Sequence, residues 1–291
     1  MRKIAAALFA AAVLAANSYA QGQTAPTLRV VTEDPTLPSE LFYGDVKVKP
    51  VRLRPGTNQR ITIEDGDFFV QQQYIDFLSR FPEASGFQAW MNVLNSCNGD
   101  PNCLHGPEGK RVLVSQSFYQ SPEFNIKGFF AHRFYAASLG RLATYEEFTR
   151  DMRSLTGATA EETNAKREVF AAAWVQRGDF KQAYDSLSNA AFVDKLLQTA
   201  GITLANRNQL VASLDGGASR ASVLRQIVDS AELQAKEYDP AFVAIQYYGY
   251  LRRTPEQQGY NDWLNYLRSH PGDYKTMVWG FLYSPEYNNR F

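Results

Sequence analysis

Cys97 and Cys103 are the two residues of the sequence best suited to covalent chemistry. The residues between them, Asn98-Gly99-Asp100-Pro101, favour a tight turn that brings the two sulfur atoms together. A zinc site would need two further ligands, and only His105 lies near. In an exported protein, as argued below, this spacing indicates a disulfide, and we predict a bond between Cys97 and Cys103.

Other residue types that could support catalysis occur without the expected spacing. The histidines lack a second ligand at metal-site spacing, and no nucleophile elbow, phosphate loop or dinucleotide fingerprint occurs. Neighbouring carboxylates could serve a polysaccharide hydrolase, and these are Glu64, Asp65, Asp67, Glu146, Glu147, Glu161 and Glu162. Each group falls where a helix is expected to begin, which favours acidic residues electrostatically. We predict no catalytic, cofactor-binding or metal-binding residue, with a hydrolase as one alternative.

Trp90 and Trp263 could offer stacking platforms for sugars, which makes a carbohydrate-binding module the other alternative. Each Trp lies three residues after an aromatic residue and four before an aliphatic one, on the apolar face of its own expected helix. Core packing is therefore the favoured role for both.

The elements that carry these residues are indicated by a phrase that occurs twice. FLSRFPEASGFQAW covers residues 77–90 and YLRRTPEQQGYNDW covers residues 250–263. Apolar residues around each copy recur at helical spacing, as at Val70, Tyr74 and Phe77. Each copy closes on Ser-Pro-Glu and an aromatic residue, which is a helix start signal.

Weaker copies of the phrase occupy the segment between these two strong copies. We predict an all-α fold, a helical repeat or bundle of about four degenerate three-helix units, in which stacked neighbours bury one another's aromatic faces. The repeats are numbered 1 to 4 and cover residues 67–127, 128–183, 184–237 and 238–291. The cysteine loop is an insertion that repeat 1 carries and repeat 4 lacks.

Residues 21–66 have a different composition and are predicted to form an extended arm with possible short strands. The segment VKVKPVRLR, residues 46–54, alternates apolar and basic residues, which is typical of an exposed strand. Pro50 would place that strand at a sheet edge.

The two strong copies resemble the DUF4214 repeat of bacterial secreted and surface proteins, on Leu-x-Arg-x-Pro, the following Gly, the Trp-bearing helix and the closing Ser-x-Glu-Phe. The resemblance covers Phe69–Phe124 and Phe242–Tyr287 and is weak between them. It implies small all-α modules with no assigned activity. A more distant likeness to phycobilisome linker domains rests on Arg-x-Pro-x-x-x-Gly.

An arginine recurs at the same position of three repeats, as Arg80, Arg141 and Arg253. Arg differs from Lys in its planar fork, which binds a carboxylate through two hydrogen bonds. A carboxylate also recurs near each repeat end, at Glu123, Asp179, Glu232 and Glu286. We predict the structural pairs Arg80–Glu123, Arg141–Asp179 and Arg253–Glu286, and expect Glu232 to be exposed or paired elsewhere.

The first residues and the charge balance bear on location and partners. Residues 1–20 resemble a secretory signal peptide, with Arg2 and Lys3 before a short apolar segment and Ala20 at the expected cleavage point. Thirty basic and thirty acidic residues leave no net charge, which argues against a nucleic-acid partner. We expect no transmembrane segment after signal cleavage and no cofactor. The predicted function is that of a secreted, periplasmic or envelope interaction module, with an unknown protein or a surface glycan as partner.

Overall fold

The structure, a computed structural model, describes the strand residues 28–31, 40–43 and 46–48 together with residues 52–157 and 159–291. The predicted signal peptide and much of the predicted arm lie outside the described residues. The chain forms two compact units, residues 1–60 and residues 61–291. The two are described separately below.

The N-terminal unit contains a small antiparallel sheet. Its strands are β1 (Leu28–Val31), β2 (Glu40–Tyr43) and β3 (Val46–Val48). They lie in the order β1-β2-β3, with Leu28 opposite Tyr43 and Leu41 opposite Val48. Strand β3, which begins the alternating segment of residues 46–54, is at an edge of this sheet.

The second unit is helical, as the predicted all-α fold requires. Its first half contains α1 (Gly66–Gln73), the π-helical turn π1 (Tyr74–Leu78), α2 (Ala84–Asn95), α3 (Pro101–Leu104), α4 (Lys110–Tyr119), α5 (Pro122–Phe124), π2 (Asn125–Phe129), α6 (Phe130–Leu139) and α7 (Tyr145–Ser154). Its second half contains α8 (Ala160–Trp174), α9 (Gly178–Tyr184), α10 (Asn189–Ala200), α11 (Arg207–Asp215), α12 (Arg220–Val228), α13 (Ala231–Gln246), π3 (Tyr247–Leu251), α14 (Gln257–Ser269), α15 (Tyr274–Leu282) and α16 (Pro285–Asn288). Within the described part of the chain, no helix combines the length and apolar character needed to cross a bilayer.

Helix starts follow the signals in the sequence. Ser121 and Ser284 are the N-caps of α5 and α16, and each side chain accepts a hydrogen bond at 3.1 Å from a backbone N–H three residues later. Such caps satisfy N–H groups that have no partner inside the helix. The prediction that Ser-Pro-Glu opens a helix in repeats 1 and 4 is confirmed.

The helices that precede Arg80 and Arg253 end in the same backbone conformation, which the sequence does not predict. π1 ends at Ser79 and π3 ends at Arg252, both in the left-handed region with φ of 54° and 52°. The first helix therefore ends before Pro82 is reached. The equal geometry places Arg80 and Arg253 in the same position relative to their preceding helices.

Helix α6 occupies the centre of the helical unit. Phe130, Phe134 and Tyr135 on this helix are all buried to at least 99%. The helix packs against α10, α12 and α13. A helix that is buried on several faces needs apolar residues around most of its circumference, as this one has.

The first and last repeats also contact each other. Helix α4 packs against α15 and π1 packs against π3, with the rings of Phe77 and Tyr250 centred 5.0 Å apart. Arg290 donates to Asp76 at 2.8 Å, and the rings of Phe68 and Phe291 are centred 5.5 Å apart. The sequence predicts contacts only between neighbouring repeats. The structure adds this contact between repeat 1 and repeat 4, the two ends of the helical unit.

Two equivalent glutamines, Gln73 in repeat 1 and Gln246 in repeat 4, are both buried, but only the first has hydrogen-bond partners for its side-chain amide among the described residues. Gln73 donates to the Tyr287 hydroxyl at 3.2 Å and accepts from Ser115 at 2.5 Å. Gln246, at the equivalent position before π3, is fully buried, and neither of its amide atoms has a hydrogen-bond partner within the described part of the chain.

Candidate functional site

The arginine of the repeated phrase lies at the centre of a cluster in repeat 1. Its Nε and Nη2 donate to the two carboxylate oxygens of Glu123 at 3.0 and 2.9 Å. Its Nη1 donates to Glu83 at 2.5 Å, and its guanidinium carbon lies 5.0 Å from the centre of the Tyr74 ring. Arg80 is thus held by two carboxylates and an aromatic face. The predicted Arg80–Glu123 pair is confirmed.

Repeat 4 builds the same cluster around Arg253. Its Nε and Nη2 donate to the two oxygens of Glu286 at 2.6 and 3.1 Å, and its Nη1 contacts Glu256. The guanidinium carbon lies 5.1 Å from the centre of the Tyr247 ring. The predicted Arg253–Glu286 pair is confirmed, and both arginines are engaged by carboxylates within the protein.

The glycine of the phrase is explained by the same cluster. A Cβ atom on Gly86 would collide with the Glu83 carboxylate and the Tyr74 hydroxyl. A Cβ atom on Gly259 would collide with the equivalent groups of repeat 4. Glycine is needed at these positions because two polar side chains cross over its backbone.

The arginine of repeat 2 departs from the prediction. Arg141 donates to both oxygens of Glu147 at 2.7 and 2.8 Å, whereas its distance to Asp179 is 3.9 Å. Glu147 is nearer because Thr144 caps α7 and forms a capping box with it, which holds the carboxylate beside Arg141. The predicted Arg141–Asp179 pair is therefore present only as a long ion pair, and the hydrogen-bonded partner is Glu147, which the prediction did not name. Glu232, at the equivalent position of repeat 3, is exposed as expected.

The cluster of repeat 1 contains a further buried cation. The side chain of Lys127 is only 1% exposed, and its Nζ lies 2.7 Å from Glu123. Burial alone would raise the pKa of the Glu123 carboxyl, but hydrogen bonds from Arg80 and Lys127 outweigh burial and lower it. A hydrogen bond from Arg80 likewise lowers the pKa of Glu83. The cluster therefore stabilises the fold most when its carboxyl groups are ionised.

The predicted disulfide is formed. Cys97 and Cys103 are bonded, with their Cα atoms 5.5 Å apart. The bond closes the inserted loop between α2 and α4, and α3 lies inside that loop. It also positions the residues that follow, among them His105 and Glu108.

A row of side chains on α15 and at its C-cap faces this loop, with Trp279 exposed and Lys275 and Tyr283 half-buried. Lys275, Trp279 and Tyr283 lie four residues apart and therefore share one side of the helix. Lys275 forms an ion pair with Glu108, and the Tyr283 hydroxyl lies 2.9 Å from Nδ1 of His105. We call these five residues the α15 surface. It is the place where the insertion of repeat 1 meets repeat 4.

The α15 surface contains the most prominent indole at the protein surface. The side chain of Trp279 is 39% exposed, and its ring is centred 6.3 Å from that of Tyr283. Burial raises the pKa of the Tyr283 hydroxyl, which stays neutral and can serve as a hydrogen-bonding group. The sequence offered no means of judging Trp279, because its spacing marks neither a helix core nor a motif.

The tryptophans singled out from the sequence have the predicted core role. Trp90 and Trp263 are partly buried against the core, with ring centres 5.7 Å from those of Phe118 and Phe281 respectively.

Three of the candidate carboxylates of a hydrolase are engaged by other groups near helix starts. Asp65 is the N-cap residue of α1, Glu147 completes the cap of α7, and Glu162 lies 3.0 Å from Lys166. Among the residues that the structure describes, no three His, Cys, Asp or Glu side chains are gathered as metal ligands.

The structure contains a buried ionic network that the sequence analysis did not predict. Asp151 is 2% exposed and accepts from the Tyr135 hydroxyl at 2.6 Å and from Arg177 at 2.7 Å. The Arg177 guanidinium carbon lies 3.9 Å from the centre of the Trp174 ring. Tyr135 lies six residues before Arg141, as Tyr74 lies before Arg80, but no sequence pattern indicates that Asp151 and Arg177 lie beside it.

Comparison with known proteins finds a family similarity for one part of the chain. No significant match was found among curated proteins or among solved structures. Residues 234–291 match the family model described as "Domain of unknown function (DUF4214)". The resemblance of Phe69–Phe124 to the same family, and the division into four repeats, stay predictions. The C-terminal segment that carries the Arg253 cluster and the α15 helix is therefore similar to the DUF4214 family.

Proposed function

We propose that the protein is a non-catalytic binding module that acts outside the cytoplasm, at the envelope of the cells that make it or beyond. The observation that carries this proposal is the α15 surface. Two residues that follow the disulfide in one repeat, His105 and Glu108, contact the residues on either side of an exposed tryptophan in another repeat. The shared cluster residues, in contrast, are engaged inside the protein. Residues that differ between repeats and stay exposed are free to contact a partner.

Location and absence of catalysis belong to the same proposal. The resemblance of residues 1–20 to a signal peptide supports export, and a disulfide in an ordered loop fits an oxidising compartment. The engagement of the candidate carboxylates in caps and ion pairs supports a role in binding rather than hydrolysis.

Co-sedimentation with an envelope fraction of the producing cells tests the proposal. The purified mature protein is expected to sediment with the fraction, and Trp279→Ala is expected to remove most of this binding. Val169→Ala is the matched control, because Val169 is an exposed apolar residue, 69% exposed, on α8. Equal sedimentation of wild type and Trp279→Ala, or none for the wild type, would contradict the proposal.

A further inference from the structure

The α15 surface places one indole between two polar pairs. Lys275 lies four residues before Trp279 and is paired with Glu108. Tyr283 lies four residues after Trp279 and is hydrogen-bonded to His105. Four residues of helix span about 6 Å, so groups that can donate and accept hydrogen bonds flank the indole at close range on both sides.

The charges of this surface balance. The ammonium group of Lys275 is matched by the carboxylate of Glu108, whose side chain is 78% exposed. Beneath the surface, Arg111 lies 3.8 Å from the Glu64 carboxylate, which is itself 3.9 Å from His105. A surface of this kind lacks the single-sign field that attracts a polyanion or a polycation. It suits a ligand that is neutral but rich in hydrogen-bonding groups.

The helix and the loop that carry the α15 surface are held by packing and by the disulfide. Of repeats 1 and 4, only repeat 4 has these surface residues on the equivalent helix. Trp279 lies on a helix that packs against α4, and the disulfide between Cys97 and Cys103 closes a loop just before the other two residues, His105 and Glu108. The positions of α4 equivalent to Lys275, Trp279 and Tyr283 hold Val112, Gln116 and Gln120. Repeat 1 therefore cannot form a second surface of the same chemistry, and we expect one site per chain from these two repeats.

Resting on the binding function proposed above, we propose that the α15 surface binds a neutral saccharide, with a pyranose ring stacked on Trp279. One face of a pyranose presents C–H groups that pack against an indole, and its edge carries hydroxyls that donate and accept hydrogen bonds. An aromatic plane bordered by a few polar groups is the matching arrangement. The row from Lys275 to Tyr283 spans about 12 Å, the reach of a short oligosaccharide.

Affinity electrophoresis tests this inference with defined probes. Wild-type protein is run in native gels that contain soluble starch, mixed-linkage β-glucan or galactomannan, and at least one is expected to retard it. Trp279→Ala should weaken this interaction by at least about tenfold, as expected for a central aromatic contact. Trp279→Phe should retain much of it, because a smaller ring still stacks, and Val169→Ala should behave as wild type.

A second variant protects the test from a folding defect. Lys275 is partly exposed and is expected to contribute to binding but not to the core, so Lys275→Ala should weaken retardation several-fold with an unchanged helical circular dichroism spectrum. Failure of all three polysaccharides to retard the wild type would overturn the inference, as would equal retardation of wild type and Trp279→Ala. If that occurs while envelope co-sedimentation still requires Trp279, a protein occupies the surface, and only the saccharide inference fails.

Discussion

At the scale of single residues, the equivalent side chains of Gln73 and Gln246 make different contributions to the stability of the fold. The Gln73 amide has hydroxyl partners in Ser115 and Tyr287, whereas the Gln246 amide is buried without a hydrogen-bond partner among the described residues. The positions equivalent to Ser115 and Tyr287 are Val278 and Phe124, which have no hydrogen-bonding side chain. An unsatisfied buried amide costs free energy, whereas a satisfied one does not.

We therefore expect opposite results from the same substitution at the two positions. Gln246→Leu should raise the free energy of unfolding by about 1 to 2 kcal/mol, because it removes a buried group that lacks partners. Gln73→Leu should lower it by about 1 to 3 kcal/mol, because it removes the partner of the buried Tyr287 hydroxyl and one of the two partners of Ser115. Urea unfolding of both variants measures the difference, and a destabilised Gln246→Leu protein would contradict the account.

The carboxylates of the two arginine clusters also differ. Glu123 is the partner of Lys127, whose side chain is 1% exposed, whereas the side chains of Arg253 and Glu286 are 38% and 47% exposed. Glu123→Gln leaves a buried cation without its carboxylate and should cost about 3 kcal/mol of stability. Glu286→Gln is the matched control and should cost no more than about 1 kcal/mol. Urea unfolding at neutral pH compares the two, and equal losses would show that Lys127 does not depend on Glu123.

The same pair predicts a pH dependence. The pKa of the Glu123 carboxyl is lower in the folded protein than in the unfolded chain, so the unfolded chain binds more protons. Its contribution to stability is complete above the unfolded value of about 4.3 and is lost as the pH falls through the lower folded pKa. Over this acidic range the stability of Glu123→Gln should fall less steeply than that of the wild type. Parallel curves would mean that other groups control acid unfolding.

At the scale of elements, the disulfide restrains the insertion between α2 and α4. The bond joins residues that are six positions apart, and closing so short a loop should contribute about 2 kcal/mol. The double variant Cys97→Ser, Cys103→Ser should lose this amount in urea unfolding, and reductant should have no further effect on it. Thiol groups that react with Ellman's reagent in the native, unreduced wild type would contradict the bond.

The elements also show how far sequence reasoning reaches. Helix starts at Ser121 and Ser284 and the Arg80 and Arg253 pairs could be predicted, because capping and recurrence are local or periodic signals. The partner of Arg141 could not, because its choice between two carboxylates depends on the capping box of α7. The α15 surface could not either, because it joins an insertion in repeat 1 to a helix far along the chain.

At the scale of the whole helical unit, its two ends are joined by an ionic contact. The side chain of Asp76 is 1% exposed and receives hydrogen bonds from Arg252 and from Arg290, which also donates to the backbone carbonyl of Tyr250 at 2.6 Å. Burial alone would lower the pKa of Arg290, but Asp76 outweighs it and raises the pKa. Arg290 therefore stays charged and ties the last residues to π1.

Loss of the contact between Arg290 and Asp76 should destabilise repeat 1 as well as the C-terminal helix. Arg290→Ala should lower the free energy of unfolding by about 3 kcal/mol, because Asp76 stays buried with one cation fewer. Hydrogen exchange should speed up in α1 and π1 as well as in α16. The control is Arg268→Ala, an exposed arginine on α14, which should change stability by less than about 0.5 kcal/mol. Faster exchange confined to the last helix would show that the contact does not support repeat 1.

The contact between Phe68 and Phe291 has a consequence for engineering. Because these rings are centred 5.5 Å apart, a short glycine-rich connection could join the last residue to the start of α1. New ends could then be opened at the exposed Gly216-Gly217 turn between α11 and α12. Such a circular permutant would keep the contacts between repeats 1 and 4 while reversing the order in which these two repeats leave the ribosome.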